Sequence, residues 1–281
     1  MKIEVFSSGS DGNSTLIRAN MTNILVDVGL SKKMIEEYLS SSGLSLNDID
    51  AILITHEHVD HIKGLMAILN KFDIKIYLTE GTLNAIVSQF KAKNDQKSYE
   101  KLMEKYNRGI FRILRREKDN FLYEGFNIKD FYVQPLPTFH DARESVGFVF
   151  TAELKRFVYI TDTGYVHNAL FDIIKNADGY LLESNHDPDI LLSSNRPYQL
   201  KMRILSDYGH LSNLDSMLTL VSVIGNNTKL VLHAHVSTEC NLSQIIELER
   251  EKVFKEYQIS QDNIKFVILK AYKKDTFEIW K

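Results

Sequence analysis

With one cysteine in 281 residues, Cys240, the chain cannot form an intramolecular disulfide or build a zinc site from several thiolates, and this usage fits a reducing compartment. No stretch of 18 or more apolar residues occurs, so no membrane-spanning helix is predicted. The opening MKIEVFSSGSDGN reads as a strand and a turn, not as the charged start, long apolar run and cleavage site of a signal peptide. These features predict a soluble, cytoplasmic protein. A strong excess of one charge is also missing. Lys+Arg 34 against Asp+Glu 37 gives a formal net charge of -3, so nothing global marks a nucleic-acid or membrane binder, and any basic footprint must be local. Internal repeats, low-complexity linkers and a clear domain boundary are lacking too, so residues 1–281 read as one domain.

What is present is 44% hydrophobic residues, enough for a substantial core at this length. Residues 2–6, 14–19 and 23–28 are β-rich and turn at Ser10-Asp11-Gly12-Asn13, as in a small antiparallel meander. Ser31 caps a helix whose apolar side is Met34, Ile35, Tyr38 and Leu39. Ala51-Ile52-Leu53-Ile54-Thr55 is the short continuous run of a strand covered on both faces. The pattern then predicts helix over 61–71, strand over 74–78, and a long helix or helix pair from Thr82 to about Arg116. Strands dominate 121–161. Beyond them the pattern predicts helix 166–174, strand 179–182, helices 197–207 and 213–223, strand 229–233, a helix near 242–256, and strands 264–270 and 276–280. Strands grouped in each half, with helices outside them, predict the α+β class as an αββα four-layer sandwich, two sheets face to face between helical layers.

Directly after the buried strand come His56, Glu57, His58, Val59, Asp60 and His61, four potential ligands within six residues. Imidazole and carboxylate ligands suit borderline divalent ions such as zinc, manganese or iron. A helical His-Glu-x-x-His protease site would need histidine where Asp60 stands, so that reading fails. A loop leaving a strand end can instead aim His56 and His58 at one ion and Asp60 and His61 at another. Burying four such groups without metal would leave costly unpaired polarity. Two ions about 3.5–4 Å apart acidify a shared water and stabilise charge on an attacked phosphoryl group, chemistry that suits phosphodiester hydrolysis.

The HxHxDH segment resembles the signature of the metallo-β-lactamase superfamily. More narrowly, the chain resembles the YycJ/WalJ exonuclease family through SSGSDGNS (7–14), LVDVGLS (25–31), THEHVDHIKG (55–64), YITDTGY (159–165), LLESNHD (181–187), RILSDYGHLSN (203–213) and HAHVS (233–237). The resemblance implies two divalent ions, Zn²⁺ and/or Mn²⁺. His140, in PLPTFHDARE, would complete the histidines of the first ion, Asp162 would bridge both ions, and His235 would close the second set. His233 would point the opposite way if its strand persists, and is left out. Asp27 would brace the ligand loop without binding metal.

Glu183 and His210 stand where ribonuclease Z-like relatives keep a Glu–His pair. A carboxylate orients an imidazole and favours its protonated form, which makes His210 the candidate proton donor and, with Asp60 and Glu183, the catalytic set. The alternative for His210 is support of a helix begun at Ser212, with Asp215 completing a capping-box variant. His186 is open between bracing, substrate contact and a structural turn. The loop with Ser8 and Asn13 is open between a phosphate-facing turn and a plain hairpin turn.

From Lys91 to Asp119 ten Lys/Arg face five acids, a basic helical segment at about 90–119 with Tyr99, Tyr106 and Phe111 interleaved. Phosphate contact with base stacking is one reading, and a solvated amphipathic helix with its aromatics in the core is the other. Arg196, Lys201 and Arg203 add candidate phosphate contacts. The sequence therefore predicts a dinuclear metal-dependent phosphodiester hydrolase, and the resemblance implies a 5′-to-3′ exonuclease with DNA, or RNA, as substrate. Its rivals are a small-substrate hydrolase (cyclic phosphodiesterase, lactone or thioester hydrolase) and a non-catalytic, metal-stabilised regulatory protein.

Overall fold

A computed structural model of the chain describes residues 1–118 and 120–279. Asp119, the last acid of the expected basic segment, and position 280 of the expected final strand lie outside the described residues. The chain divides into two compact units. One comprises Met1–Pro137, Ala142–Val146 and the stretch beginning at Ala271; the other comprises Thr138–Asp141 and Gly147–Lys270.

In the first unit, β1 (Lys2–Ser7), β2 (Ser14–Ala19) and β3 (Thr22–Val26) form the expected antiparallel meander. Parallel to β3 follow β4 (Ala51–Leu53), β5 (Lys75–Leu78) and β6 (Phe111–Ile113). Parallel neighbours need long crossovers, and helices at 32–41, 59–62, 65–69, 80–92 and 96–107 supply them. β7 (Phe126–Ile128) and β8 (Phe131–Pro137) form a hairpin. Ile35 and Leu39 of the first helix join Leu25, Ile52, Ile76 and Ile86 in one apolar cluster. The hydroxyl of Ser31 caps that helix by accepting from the Met34 amide at 3.3 Å.

On β1 the buried Glu4 carboxylate lies 3.0 Å from Lys2, 3.2 Å from Arg18 and 3.0 Å from Lys274, and Ser42 Oγ donates to it at 2.5 Å. Burial alone would raise its pKa; the Ser42 hydroxyl and the ammonium groups of Lys274 and Lys2 outweigh this and hold it at about 2.

In the second unit, which takes in β9 (Val146–Ala152) from its second residue on, β9 and β10 (Lys155–Ile160) form an antiparallel hairpin. Parallel to β10 run β11 (Gly179–Glu183), β12 (Leu230–Ala234) and β13 (Lys265–Ile268). The register pairs Ile160 with Leu182 and Glu183 with Ala234, which brings the carboxyl ends of β10, β11 and β12 to one edge of the sheet. Asp162, Glu183 and His235 all sit there. Carboxyl edges of parallel strands are where such folds place their ligands.

Three local expectations need correction. The helix expected over 61–71 is two short helices, Val59–Ile62 and Leu65–Leu69, broken at Gly64. A helix at Pro188–Ser193 was not expected, although Asp187 and Pro188 are good first-turn residues: the Asp187 carboxylate accepts from the amides of Asp189 and Ile190. The basic segment is helical only as far as Asn107; after that β6 begins and Phe111 is buried in the core. Its positive face is also smaller than its composition implies. Lys101 pairs with Glu104, Lys105 with Asp73, Arg108 with Asp73 and Glu104, and Arg116 with Glu144.

Candidate metal centre

The ligand loop of the first unit begins where β4 ends. His56 and His61 are fully buried, His58 and Asp60 partly so, and the His56 ring centroid lies 4.5 Å from that of His58 and 4.1 Å from that of His61. Behind them Asp27 accepts on Oδ1 from the Thr55 amide and on Oδ2 from the Thr55 hydroxyl, each at 2.9 Å, and its Oδ2 is 2.8 Å from His61 Nδ1. Burial pushes the Asp27 carboxyl above the ordinary carboxylate range against the opposing pull of His61. Having donated to Asp27, the Thr55 hydroxyl is left to accept from His56 Nδ1 at 3.0 Å. His56 and His61 therefore have Nδ1 engaged with the protein, the tautomer that reserves the Nε2 lone pair for a metal.

The turn with Ser8 and Asn13 is committed to this loop. The Asn13 amide N–H donates to the Asp60 carbonyl at 2.7 Å, and its side-chain nitrogen lies 3.2 Å from Asp60 Oδ2 and 3.0 Å from His61 Nε2. The amide of Gly9 goes to Asn13 Oδ1 and that of Gly12 to the Gly9 carbonyl, so these two N–H groups of the turn already have partners. Ser8 is buried. At Gly29 a Cβ would fall 1.6 Å from the Asp60 carbonyl oxygen, so only glycine lets the two segments approach.

In the second unit one ligand atom each from Asp162, Glu183, His210 and His235 lies within 4.8 Å of the others. The fully buried Glu183 carboxylate is at its centre: Oε1 is 2.7 Å from His210 Nδ1 and 3.0 Å from His235 Nδ1, while Oε2 accepts from the amides of Thr163 at 2.9 Å and Leu211 at 3.3 Å. Burial opposes ionisation, but His210 and His235 outweigh it and hold the Glu183 carboxyl well below the usual carboxylate range. Asp162 Oδ1 lies 3.5 Å from His235 Nε2 and 3.9 Å from His140 Nε2. The His140 Nδ1–H donates to the Gly209 carbonyl at 2.9 Å, and burial lowers the pKa of that ring, which favours the neutral form a ligand requires.

Three of these residues adopt left-handed backbone just past a strand end: Asp27 at φ 57, Asp162 at φ 52 and His235 at φ 51. Such geometry costs a non-glycine residue about 1–2 kcal/mol and persists where the surroundings impose it.

His210 does not cap the helix that follows; Ser212 does, accepting from the Asp215 amide at 3.1 Å. His233 is buried away from this cluster, its Nδ1 3.0 Å from Ser184 Oγ and its ring parallel to Phe266. His186 is buried, neither ring nitrogen has a hydrogen-bond partner among the described residues, and burial takes its pKa down to about 4. Of the added basic residues, Arg196 pairs with Glu239 and Arg203 with Asp141, while Lys201 donates to the Leu192 carbonyl. The sequence reading overlooked Thr55 and the Gly209 carbonyl, both of which orient histidines. Thr55 had a usable signal, since a hydroxyl ending a buried strand must find partners.

Comparison with known proteins bears on the same residues. The "Beta-lactamase superfamily domain" family matches residues 22–234, a span that holds His56 to His61, His140, Asp162, Glu183 and His210. The chain belongs to this superfamily. Within it the chain is a member of the YycJ/WalJ family. It is 36% identical over 247 residues to the exodeoxyribonuclease WalJ of Streptococcus pneumoniae serotype 2 (strain D39 / NCTC 7466), covering 88% of this chain and 86% of the relative. It is 33% identical over 260 residues to the exodeoxyribonuclease YycJ of Bacillus anthracis, covering 91% and 90%. The metallo-beta-lactamase fold protein YhfI from Bacillus subtilis superposes with a TM-score of 0.65 over 99% of both chains, at 16% identity. The metallo-β-lactamase fold expected from the sequence is thus the fold of this family member, and the chain is a metal-dependent hydrolase. Among the described residues no helix is long and apolar enough to cross a membrane.

Proposed function

We propose that this hydrolase is a dinuclear phosphodiesterase that degrades DNA in the 5′-to-3′ direction. His56, His58, Asp60, His61, His140, Asp162 and His235 would hold two divalent ions, Zn²⁺ or Mn²⁺. The observation that carries the reading is the shared tautomer. His56, His61, His140 and His235 each engage Nδ1 with a protein group, Thr55, Asp27, the Gly209 carbonyl and Glu183 respectively. Four imidazoles so prepared, with two aspartates, are a donor set suited to borderline divalent ions. When bound, two such ions supply Lewis acidity for the phosphoryl oxygens and acidify a water near neutral pH.

The other steps belong to side chains. Glu183 fixes His210 through Nδ1 and leaves Nε2 to carry the proton that the departing oxygen needs. That pair favours a phosphodiester over a lactone or thioester. The choice of DNA is supported by two exodeoxyribonuclease relatives matched along most of their length. DNA as substrate and a lone cysteine support an activity in the cytoplasm.

The test is purified protein with Mn²⁺ or Zn²⁺ on 5′-phosphorylated single-stranded and duplex DNA, RNA and bis(p-nitrophenyl) phosphate, beside an Asp60→Ala control. Release of mononucleotides from the 5′ end is the expected result. Turnover of the small diester alone would remove the nuclease reading in favour of a small-substrate phosphodiesterase, and metal binding without turnover of any substrate would leave a regulatory protein.

A further inference from the structure

The loops that carry His140, Asp162 and His210 each also carry an aromatic ring that the hydrolytic chemistry does not use: Phe139, Tyr165 and Tyr208. The Phe139 and Tyr165 rings are stacked, with centroids 4.3 Å apart and planes 23° apart. The His167 ring extends the group, 6.1 Å from Phe139 and 6.3 Å from Tyr165. Tyr208 is 59% exposed, and Phe139 and Tyr165 are partly exposed. Tyr165 and Tyr208 follow directly on two backbone positions that touch, Gly164 and Asp207, so they sit on neighbouring segments.

These rings are held in one frame with the candidate ligands. The Gly164 amide donates to the Phe139 carbonyl at 2.8 Å, and the Phe139 amide donates to Thr163 Oγ1 at 3.0 Å. Gly164 also rests against the turn before Tyr208; a Cβ there would fall 2.3 Å from the Asp207 carbonyl carbon. Thr163 then donates to Glu183, and His140 to Gly209. Whatever rests on the rings is thereby fixed relative to His140, Asp162 and His210.

Scattered exposed aromatics need no explanation, but a stacked group beside a reactive cluster does. Resting on the nuclease reading above, we propose that Phe139, Tyr165 and Tyr208 form a stacking platform for an unpaired nucleobase next to the phosphodiester being cut. Aromatic faces accept any base, which suits an enzyme that removes successive nucleotides regardless of sequence. A paired base cannot lie there, so the strand end must be single-stranded or frayed when cut.

The experiment uses the full chain with Mn²⁺ and single-stranded, phosphorothioate-linked oligonucleotides carrying 2-aminopurine at the 5′ or the 3′ end, so that binding is read without turnover. The 2-aminopurine fluorescence is expected to be quenched at one end. Tyr208→Ala is expected to weaken binding about ten-fold, with Tyr208→Phe restoring it. An oligonucleotide with an abasic residue at that end should bind the wild-type protein about ten-fold more weakly and lose nothing further in Tyr208→Ala. Equal binding of abasic and intact ends, or no quenching at either end, overturns the platform while leaving DNA hydrolysis, measured separately, to decide the nuclease reading. Failure of the wild-type protein to bind any oligonucleotide overturns both.

Discussion

His210 and Glu183 are joined at 2.7 Å, Nδ1 to Oε1, and the same oxygen lies 3.0 Å from His235 Nδ1. One buried carboxylate thus orients both a candidate proton donor and a candidate ligand. His210→Ala is expected to lower kcat on DNA about 10²–10⁴-fold. It should do far less to bis(p-nitrophenyl) phosphate, whose leaving group departs without a proton. Glu183→Gln should lower kcat and metal affinity together. Steady-state kinetics on both substrates, with metal content by elemental analysis, check this pair; an equal loss on both substrates for His210→Ala would rule out the proton-donor role.

Asp27 touches two elements of the ligand loop, Thr55 and His61. Asp27→Asn keeps the shape but exchanges a charged acceptor for an amide, and metal affinity is expected to fall about 10–100-fold. Competition with a chromogenic chelator measures it.

Gly29 has no side chain, yet a substitution there should reach the metal. Because a Cβ would overlap the Asp60 carbonyl, Gly29→Ala must push the ligand loop away from the β3 end. Reduced metal stoichiometry together with a lower Tm is expected, and metal titration followed by calorimetry would show both.

Glu4 governs acid stability far along the sequence from the ligands. Its folded pKa of about 2 lies below the unfolded value near 4.3, so the unfolded chain takes up the proton first. The stabilisation is complete above that unfolded value and is lost as pH falls towards 2. It amounts to about 2–3 kcal/mol. Glu4→Gln should therefore lower stability at pH 7 and flatten the dependence between pH 5 and 2, as read from urea unfolding at a series of pH values.

Much of this was legible in the residues themselves. The meander, the buried strand before His56 and the Ser31 cap follow from periodicity and turn chemistry, which act locally. The dense cluster at 56–61 announced metal chemistry because so many ligands in one loop have little other use. What periodicity could not convey was tertiary. The early end, at Asn107, of the long helix or helix pair expected from Thr82 to about Arg116 goes with Phe111 entering the core as strand, and the neutralised cations depend on acids distant in sequence, such as Asp73 and Glu144. The role of Thr55 also required knowing that Asp27 ends the neighbouring strand.

The left-handed backbones at Asp27, Asp162 and His235 mean that the native state stores conformational tension at two candidate metal ligands and at the residue that braces the ligand loop. Glycine would relax it, so a metal-free Asp162→Gly protein is expected to melt at a higher temperature than the metal-free parent while being inactive. Selection for durability and selection for turnover would then pull these positions in opposite directions, and scanning calorimetry of the two apo-proteins is a direct way to see it.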